Sequence, residues 1–528
     1  MNIWLFISVI LFSVGGIFSL QRQLQMFQQN SYYVSRYFKW AKSALSVKVA
    51  FAAMFFIITG ALSVVGAVKY LPFLAGAELV FRVLKHNSLN KKAIKKLVYT
   101  ARVKRLIVTA TLVFILLVLG SLFLPQIENI LAVILIFMVH FSGTLLILAN
   151  TLNKPIEKAI NNHYINDAKR ILNAHKNLLT VGVTGSYGKT SVKFILNRIL
   201  NEAYNTTVTP QSFNTPMGIV RTVREHMKPQ TEVFIAEMGA KNIGDIKELC
   251  DLCRPTLGII TAIGPQHLET FGSVENVANT KFELADEVLK GAQGKIYVNF
   301  DSEAAKTRAE QITDKEKVVS FGTSPEFDCY AHSITSSPSG TSFNVKYKDF
   351  DIPLTCKLLG RHSVTNILGA VAMSLDLGVS EKQIRFAVAA LKPAEHRLEL
   401  KPFLNGAVLI DDAYNSNPVG CLEAVRVLGS FEGMRKILVT PGLVELGDKE
   451  YEYNYDLGSE AAKHCDDIIL VGVKRAVPLK KAAEDKGFSS SHLIVAESFK
   501  DAMEHLKNMT DNNTVVLFEN DLPDNYAG

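Results

Sequence analysis

The segment Gly182-Val-Thr-Gly-Ser-Tyr-Gly-Lys-Thr190 holds the most specific chemistry in the sequence. An apolar run, LLTVGV at 178–183, leads into it, and a helical pattern, SVKFILNRIL, follows. Glycines at a strand-to-helix junction let backbone N–H groups wrap phosphates, and the helix start adds a positive dipole. Lys189 can then reach the terminal phosphates, and the Thr190 hydroxyl can hold Mg²⁺. Candidate nucleotide ligands in this stretch are Thr184, Gly185, Ser186, Gly188, Lys189, Thr190 and Ser191. Val183 stands where the general phosphate-loop pattern has glycine, so the loop is a variant. A ligand-free glycine turn is the alternative, although Gly-Lys-Thr at such a junction has few purely structural uses. Glu237 closes a second apolar run, VFIAE, where an acid facing the loop can bind Mg²⁺; a solvated strand-end carboxylate is the alternative.

Further blocks follow in order: EMGA at 237–240, TAIGPQHLETFGS at 261–273, ENVANTKFEL at 275–284, VNFDSE at 298–303, LLGRHSVTNILGA at 358–370, HRLEL at 396–400 and DDAYNSNP at 411–418. With the phosphate loop, this series resembles the Mur ligase family, which joins amino acids to cell-wall precursors. DDAYNSNP together with VELG at 444–447 is most similar to the MurF type, which adds D-alanyl-D-alanine to a UDP-muramoyl tripeptide. The resemblance implies ATP and two Mg²⁺ sites as cofactors. One metal falls to Thr190 and Glu237, the other to His267 and a carbamylated Lys281. Lysine accepts CO₂ only as the neutral amine, so burial or neighbouring cations must lower its pKa. Without its block, Lys281 would read as a solvated helix cation.

The resemblance further places Asn299, Asp301 and Asn366 near the adenine, Arg397 on the ATP phosphates and Asp411 facing the nucleotide. Asn299 also fits a turn and Arg397 an interdomain ion pair. Lys189, His267, Lys281 and Arg397 are the expected catalytic set, and Asn214 and Thr215, in the loop SFNTPMG at 212–218, the expected acceptor-binding pair. The chemistry is coherent: phosphorylation turns an inert carboxylate into an acyl phosphate, which an amine attacks through a tetrahedral intermediate. Electrostatic stabilisation dominates such transfers.

The elements that must position these groups read as α/β. Apolar runs at 178–183, 233–236, 257–261 and 296–299 alternate with helical patterns, the signature of a buried parallel sheet. A second series, at 407–410, 437–440, 468–472, 493–495 and 515–518, predicts a separate Rossmann-like α/β domain. The polar stretch Ser333 to Ser342 predicts a small antiparallel excursion, and helical spacing predicts an amphipathic connecting helix over 153–176. The expected domains are 1–150, a connecting helix at 151–176, a central ATP-binding domain at 177–398 and a C-terminal domain at 399–528.

Composition excludes a disordered chain, with 48% hydrophobic and 20% charged residues over 528 positions. Residues 1–150 hold 15 of the 57 Lys and Arg but only two acids, Glu78 and Glu128. That excess sits in apolar sequence, which argues for an anionic membrane surface and against nucleic acid. Apolar runs at 1–20, 47–68, 106–124 and 130–148 predict four membrane spans, and the positive loops call for a short fifth span or a re-entrant hairpin at 70–84. The expectation is a multi-pass protein of the cytoplasmic membrane with its catalytic domains on the cytoplasmic side. Spans in place of the family's UDP-sugar-binding domain suggest that the acceptor is a lipid-linked, carboxylate-bearing envelope precursor. The expected partners are thus ATP, that precursor, an amino-acid or dipeptide amine and membrane lipid. The alternatives are D-alanyl-D-alanine ligation on the UDP-linked peptide, or a non-catalytic ATP-binding membrane scaffold.

Overall fold

The computed structural model describes residues 3–30, 32–43, 54, 57–58, 73, 75–77, 79–81, 83–84, 96–123, 142–266, 268–337, 340–393, 396–413, 417–444 and 446–520. The chain divides into two units, 1–163 with 523–528, and 164–522.

In the first unit, helices α1 (Ile3–Gln29), α2 (Val34–Ser43), α3 (Ala101–Phe123) and the start of α4 (Ser142–Ala174) turn part of their apolar surface onto one another. Leu24, Phe27, Tyr37, Val103, Leu106, Leu146 and Ala149 share one buried cluster. Beside it Arg105 makes a bidentate pair with Glu157, at 2.6 and 2.9 Å, and Thr109 donates to Asn153 at 2.9 Å. The multi-span membrane domain expected here is corrected: among the described residues, no helix is long and apolar enough to cross a membrane. The multi-pass placement in the cytoplasmic membrane falls with it. Within the runs at 1–20 and 106–124, Leu20, Leu106, Ile107, Ala110 and Val113 serve as packing partners in a helical core, and Arg102, Lys104 and Arg105 open α3 with charge. Most of the runs at 47–68 and 130–148 lie outside the described residues.

The second unit carries two sheets. The first has nine strands in the order β2-β3-β1-β4-β5-β6-β7-β8-β9: β1 Leu179–Thr184, β2 Thr206–Val208, β3 Val233–Glu237, β4 Leu257–Ile260, β5 Lys295–Asn299, β6 Val318–Gly322, β7 Cys329–Ser337, β8 Gly340–Tyr347 and β9 Phe350–Cys356. The first seven run parallel, and β3 and β4 are buried at every position, as a sheet covered on both faces requires. On one face lie α5 (Lys189–Leu200), α11 (Arg361–Asp376) and α12 (Glu381–Ala389), where Ile195 and Ile199 join Ile367 and Val371. On the other lie α6 (Pro216–His226), α7 (Asp245–Cys253) and α9 (Val274–Val288), with Phe234, Leu249 and Phe282. Between them in sequence come the short helices α8 (Leu268–Phe271) and α10 (Glu303–Ala309).

The Ser-rich stretch forms the β7–β8 hairpin, whose register shifts between His332 and Thr335, beside Ser333 at φ +52°. The second sheet has the order β10-β11-β15-β12-β13-β14, with β10 (Glu399–Pro402) antiparallel to β11 (Val408–Asp412). Its other strands, β12 Arg435–Thr440, β13 Asp467–Val471, β14 Leu493–Ala496 and β15 Thr514–Glu519, run parallel to one another and to β11. Helices α13 (Pro418–Gly429), α14 (Glu450–His464) and α15 (Val473–Asp485) pack on one face and α16 (Phe499–Met509) on the other.

In the first sheet, the chain leaves β1 toward β2 and β3 on one side and later returns to β4 on the other. The carboxyl ends of β1 and β4 therefore flank a topological switch point, where open α/β sheets hold ligands. The far end of α11 is anchored by Asp376, whose carboxylate accepts from Lys295 at 2.6 Å, Tyr297 at 2.7 Å and Tyr347 at 3.0 Å, and from Lys348. Burial alone would raise its pKa; the Lys295, Lys348 and Tyr297 hydrogen bonds outweigh that and bring it to about 2. A depressed carboxyl pKa gives stability that is present above the unfolded value and lost as pH falls through the folded one. Asp376→Asn should therefore lower unfolding stability at pH 7 by about 1–3 kcal/mol. In urea melts, the gap between wild type and variant should close as pH drops from about 5 to 2.

Candidate active site

The loop between β1 and α5 is held open by its neighbours. The Ser186 and Tyr187 amides donate to the Ala262 carbonyl at 2.8 and 3.1 Å, Ser186 Oγ to Gly264 O at 3.0 Å, and Tyr187 OH to Pro265 O at 2.6 Å. Thr261, after β4, donates to Thr184 O and Tyr187 O. Gly185 has φ +146°, and a Cβ there would lie 2.0 Å from Thr261 Oγ1; Gly188, the helix cap at φ +81°, would meet Asn366 Oδ1 at 2.6 Å. Both glycines are thus required by backbone geometry and by close approach. Lys189 curls over the loop, donating to the Gly185 and Ser186 carbonyls at 2.8 Å each. Burial lowers its pKa to about 8, with Glu237 opposing and Arg397 adding to the fall.

Behind the loop, Glu237 is 1% exposed and each oxygen is engaged. Thr190 Oγ1 donates to Oε2 at 3.0 Å and Lys193 Nζ pairs with the same oxygen at 2.8 Å, while Asn214 Nδ2 donates to Oε1 at 3.0 Å. The Glu237 amide donates to Thr209 Oγ1 at 3.1 Å. Asn214 thus touches the carboxylate itself, and Thr215 caps α6 by accepting from the Gly218 amide at 3.3 Å. Lys281, on α9, is 1% exposed; burial and the nearby Lys189 bring its pKa down to about 7 against Asp245 and Glu283. A solvated helix cation it is not. His267 lies outside the described residues.

Next to the loop opens a cavity of about 1030 Å³, lined by Gly188, Ser191, Asn299, Asp301, Asn366 and Arg397 among others. Asn299 Oδ1 accepts from the Asp301 amide at 2.9 Å, and the Asp301 carboxylate accepts from Thr323 and from Thr365 at 3.0 Å, which fixes the rim. Arg397 stands between His396 at φ +59° and Leu398 at φ +45°, two left-handed side-chain-bearing residues. Asp411 turns from the cavity to Lys401 at 2.7 Å and His396 at 2.8 Å, and it is Asp412, the next residue along β11, that lines it. Successive strand residues point to opposite faces, so of this acid pair only one reaches the cavity wall. Burial raises the Asp412 pKa to about 6, against hydrogen bonds from Leu398 and Glu519 and the Arg397 charge.

Lys193, paired with Glu237, and Arg361, His362 and Asp412, on the cavity wall, were not singled out by the sequence motifs. Lys193 stands one helical turn past Lys189, on the same face, and that spacing was the available signal.

The family model described as Mur ligase middle domain matches residues 183–374, and that of the Mur ligase glutamate ligase domain matches 396–519. The chain belongs to the Mur ligase family. Members are ATP-dependent acid–amino-acid ligases that form C–N bonds, and this chain is one of them. It is 30% identical over 342 residues to the UDP-N-acetylmuramoyl-tripeptide–D-alanyl-D-alanine ligase of Bacillus subtilis, covering 64% of this chain and 72% of that one. The enzyme of the same name from Escherichia coli is 30% identical over 301 residues, covering 55% and 64%. The chain thus spans about two thirds of the length of these Mur ligases. A crystal structure of MurF from Acinetobacter baumannii superposes with TM-score 0.61 at 25% identity, covering 68% of this chain and 77% of that one. MurF from Thermotoga maritima, at 23% identity and TM-score 0.59, shares the fold, with 68% and 80% covered.

Gly185→Ala should weaken ATP binding more than tenfold in calorimetry, since the added carbon displaces Thr261 and closes the loop. Gly244→Ala, at φ +89° with nothing within 4 Å, is the control: it bears only the backbone strain of about 1 kcal/mol and keeps ATP affinity.

Proposed function

We propose that this Mur ligase is of the MurF type, joining the amine of D-alanyl-D-alanine to the terminal carboxylate of a UDP-N-acetylmuramoyl tripeptide. The names of the Bacillus subtilis and Escherichia coli relatives support that substrate pair. A membrane-anchored enzyme with a lipid-linked acceptor has no comparable support. The observation that carries the reading is the convergence of Lys189, Thr190 and Glu237 at the carboxyl ends of β1 and β3, beside a cavity of about 1030 Å³.

In this reading the cavity takes the nucleoside of ATP, with Asn299, Asp301, Asn366 and Asp412 on its wall, and the glycine loop takes the phosphates. Lys189 and Arg397 offset the negative charge as the acceptor carboxylate oxygen attacks the γ-phosphorus and ADP departs. The amine nitrogen then attacks the acyl carbon, the C–O bond to phosphate breaks, and the ammonium proton passes to solvent. The Thr190 hydroxyl and Glu237 carboxylate, 3.0 Å apart, form a hard-oxygen pair that suits Mg²⁺ shared with substrate phosphates. That ion would supply charge neutralisation at the phosphates. A second Mg²⁺ at His267 and carbamylated Lys281 rests on the family resemblance. The low pKa of Lys281 agrees with it, since an amine near 7 is substantially neutral at physiological pH.

Steady-state phosphate release should require the tripeptide substrate and the dipeptide together, and Lys189→Ala should reduce it at least a thousandfold. ATP binding with no turnover on this pair would instead favour a nucleotide-binding scaffold. Equilibration with ¹³C-bicarbonate should give a carbamate resonance that grows as pH rises from 6 to 8 and is absent in Lys281→Met. Its absence from wild type would remove the carbamate.

A further inference from the structure

Lys193 has no exposed side-chain surface, although lysine is among the residues least often fully buried. Its ammonium faces two partners. One is Glu237 Oε2 at 2.8 Å, the oxygen that Thr190 also touches; the other is the main-chain carbonyl of Gln211. Gln211 has φ +41°, a left-handed conformation that a residue with a side chain keeps only when its surroundings hold it there. It opens the turn that continues to Asn214, whose Nδ2 binds the other Glu237 oxygen at 3.0 Å and whose carbonyl accepts from the Gly239 amide at 2.8 Å. Thr209, at the base of the same loop, accepts from the Glu237 amide. The loop 209–215 is thus gathered onto one carboxylate from several points, and Lys193 is the link that also ties it to the phosphate-loop helix.

We propose that Lys193 is a positioning residue for the acceptor: its ammonium clamps the 209–215 loop onto Glu237, so that the carboxylate to be activated arrives in register with the phosphate site. This rests on the reading of 212–218 as the acceptor loop in the proposed ligation. A lysine that merely neutralised Glu237 would influence the nucleotide and the acceptor alike. A clamp acts on the acceptor.

The test uses the full chain carrying Lys193→Met, which keeps the apolar stem, and Lys193→Arg, which keeps the charge. ADP release is measured with ATP, UDP-N-acetylmuramoyl tripeptide and D-alanyl-D-alanine each varied in turn, and ATP affinity by calorimetry in EDTA. Lys193→Met should raise the tripeptide KM at least tenfold with a smaller fall in kcat, and leave the metal-free ATP affinity within twofold. Lys193→Arg should recover part of that KM. Asn214→Ala should raise the same KM, and the double variant should be no worse than the weaker single variant, because both act through one carboxylate. Equal losses for ATP and tripeptide, or fully additive effects, would overturn the clamp.

Failure of the wild type to turn over this substrate pair would count against the proposed ligation alone. The clamp is then read by hydrogen exchange: amides 211–215 should exchange at least tenfold faster in Lys193→Met, with those of 185–190 unchanged. Unaltered exchange at 211–215 would sink it. Should Lys193→Met not fold, the exchange comparison passes to Asn214→Ala and Lys193→Arg, for which the same acceleration, smaller in the arginine variant, is expected.

Discussion

A single buried carboxylate governs the layout of the site. Glu237 ends a strand that is buried at every position, and a charge placed there without partners would cost several kcal/mol. The sequence meets that cost from separate directions: a hydroxyl from the phosphate-loop helix, an ammonium one turn further on and an amide from the loop after β2. Each partner is thereby held where it is useful. The same constraint explains why the loop after β2 is stretched over the sheet edge, with Gln211 in a left-handed conformation, when a relaxed turn could have connected β2 to α6.

The joint between the two sheets follows a related logic. Arg397 lies within reach of the charges at Lys189 and Asp412, and its place is set by the left-handed residues on either side. Those conformations each cost of order 1 kcal/mol and survive only if the surroundings over-determine them. Here the surroundings are visible: the His396 ring and amide are bound by Asp411 and Glu399, and the Leu398 amide by Asp412. The acidic pair at the end of β11 therefore splits its duties. Asp411 pins the joint and Asp412 faces the cavity.

Much of this was legible in the residues. A run such as VFIAE can be little else than a buried strand, and all nine apolar runs that were read as strands became strands, because parallel strands covered on both faces leave an uninterrupted apolar signal. Strands at the margins left weaker traces: β2 has three residues, β9 alternates, and β10 pairs on one edge. The N-terminal helices were misjudged for a different reason. Length and apolarity describe a segment in isolation, whereas Leu20, Leu106, Ala110 and Val113 are defined by what they pack against. Lys193 and Asp412 escaped notice likewise. Each sits beside a residue with an obvious motif role, and only the direction of the side chain distinguishes them. Asn214 was expected at the acceptor from its loop, and the geometry shows its side-chain amide on the Glu237 carboxylate.

The glycine loop also separates an open cavity from a tightly packed cluster of charges. The cavity side combines neutral groups, Gly188, Ser191, Asn299 and Asn366, with the charged Asp301, Arg397 and Asp412, and is open enough to take a ligand. The opposite side holds the buried pair Lys193 and Glu237 with the half-buried Thr190 hydroxyl on the same carboxylate, while Lys189 is turned onto the Gly185 and Ser186 carbonyls. Charges in that setting act at a lower effective dielectric, so they discriminate strongly among charge distributions while contributing little indiscriminate affinity. The loop 209–215 is bonded to the charged side, so in the proposed ligation acceptor placement is coupled to the bond-making step more tightly than to recognition of the base.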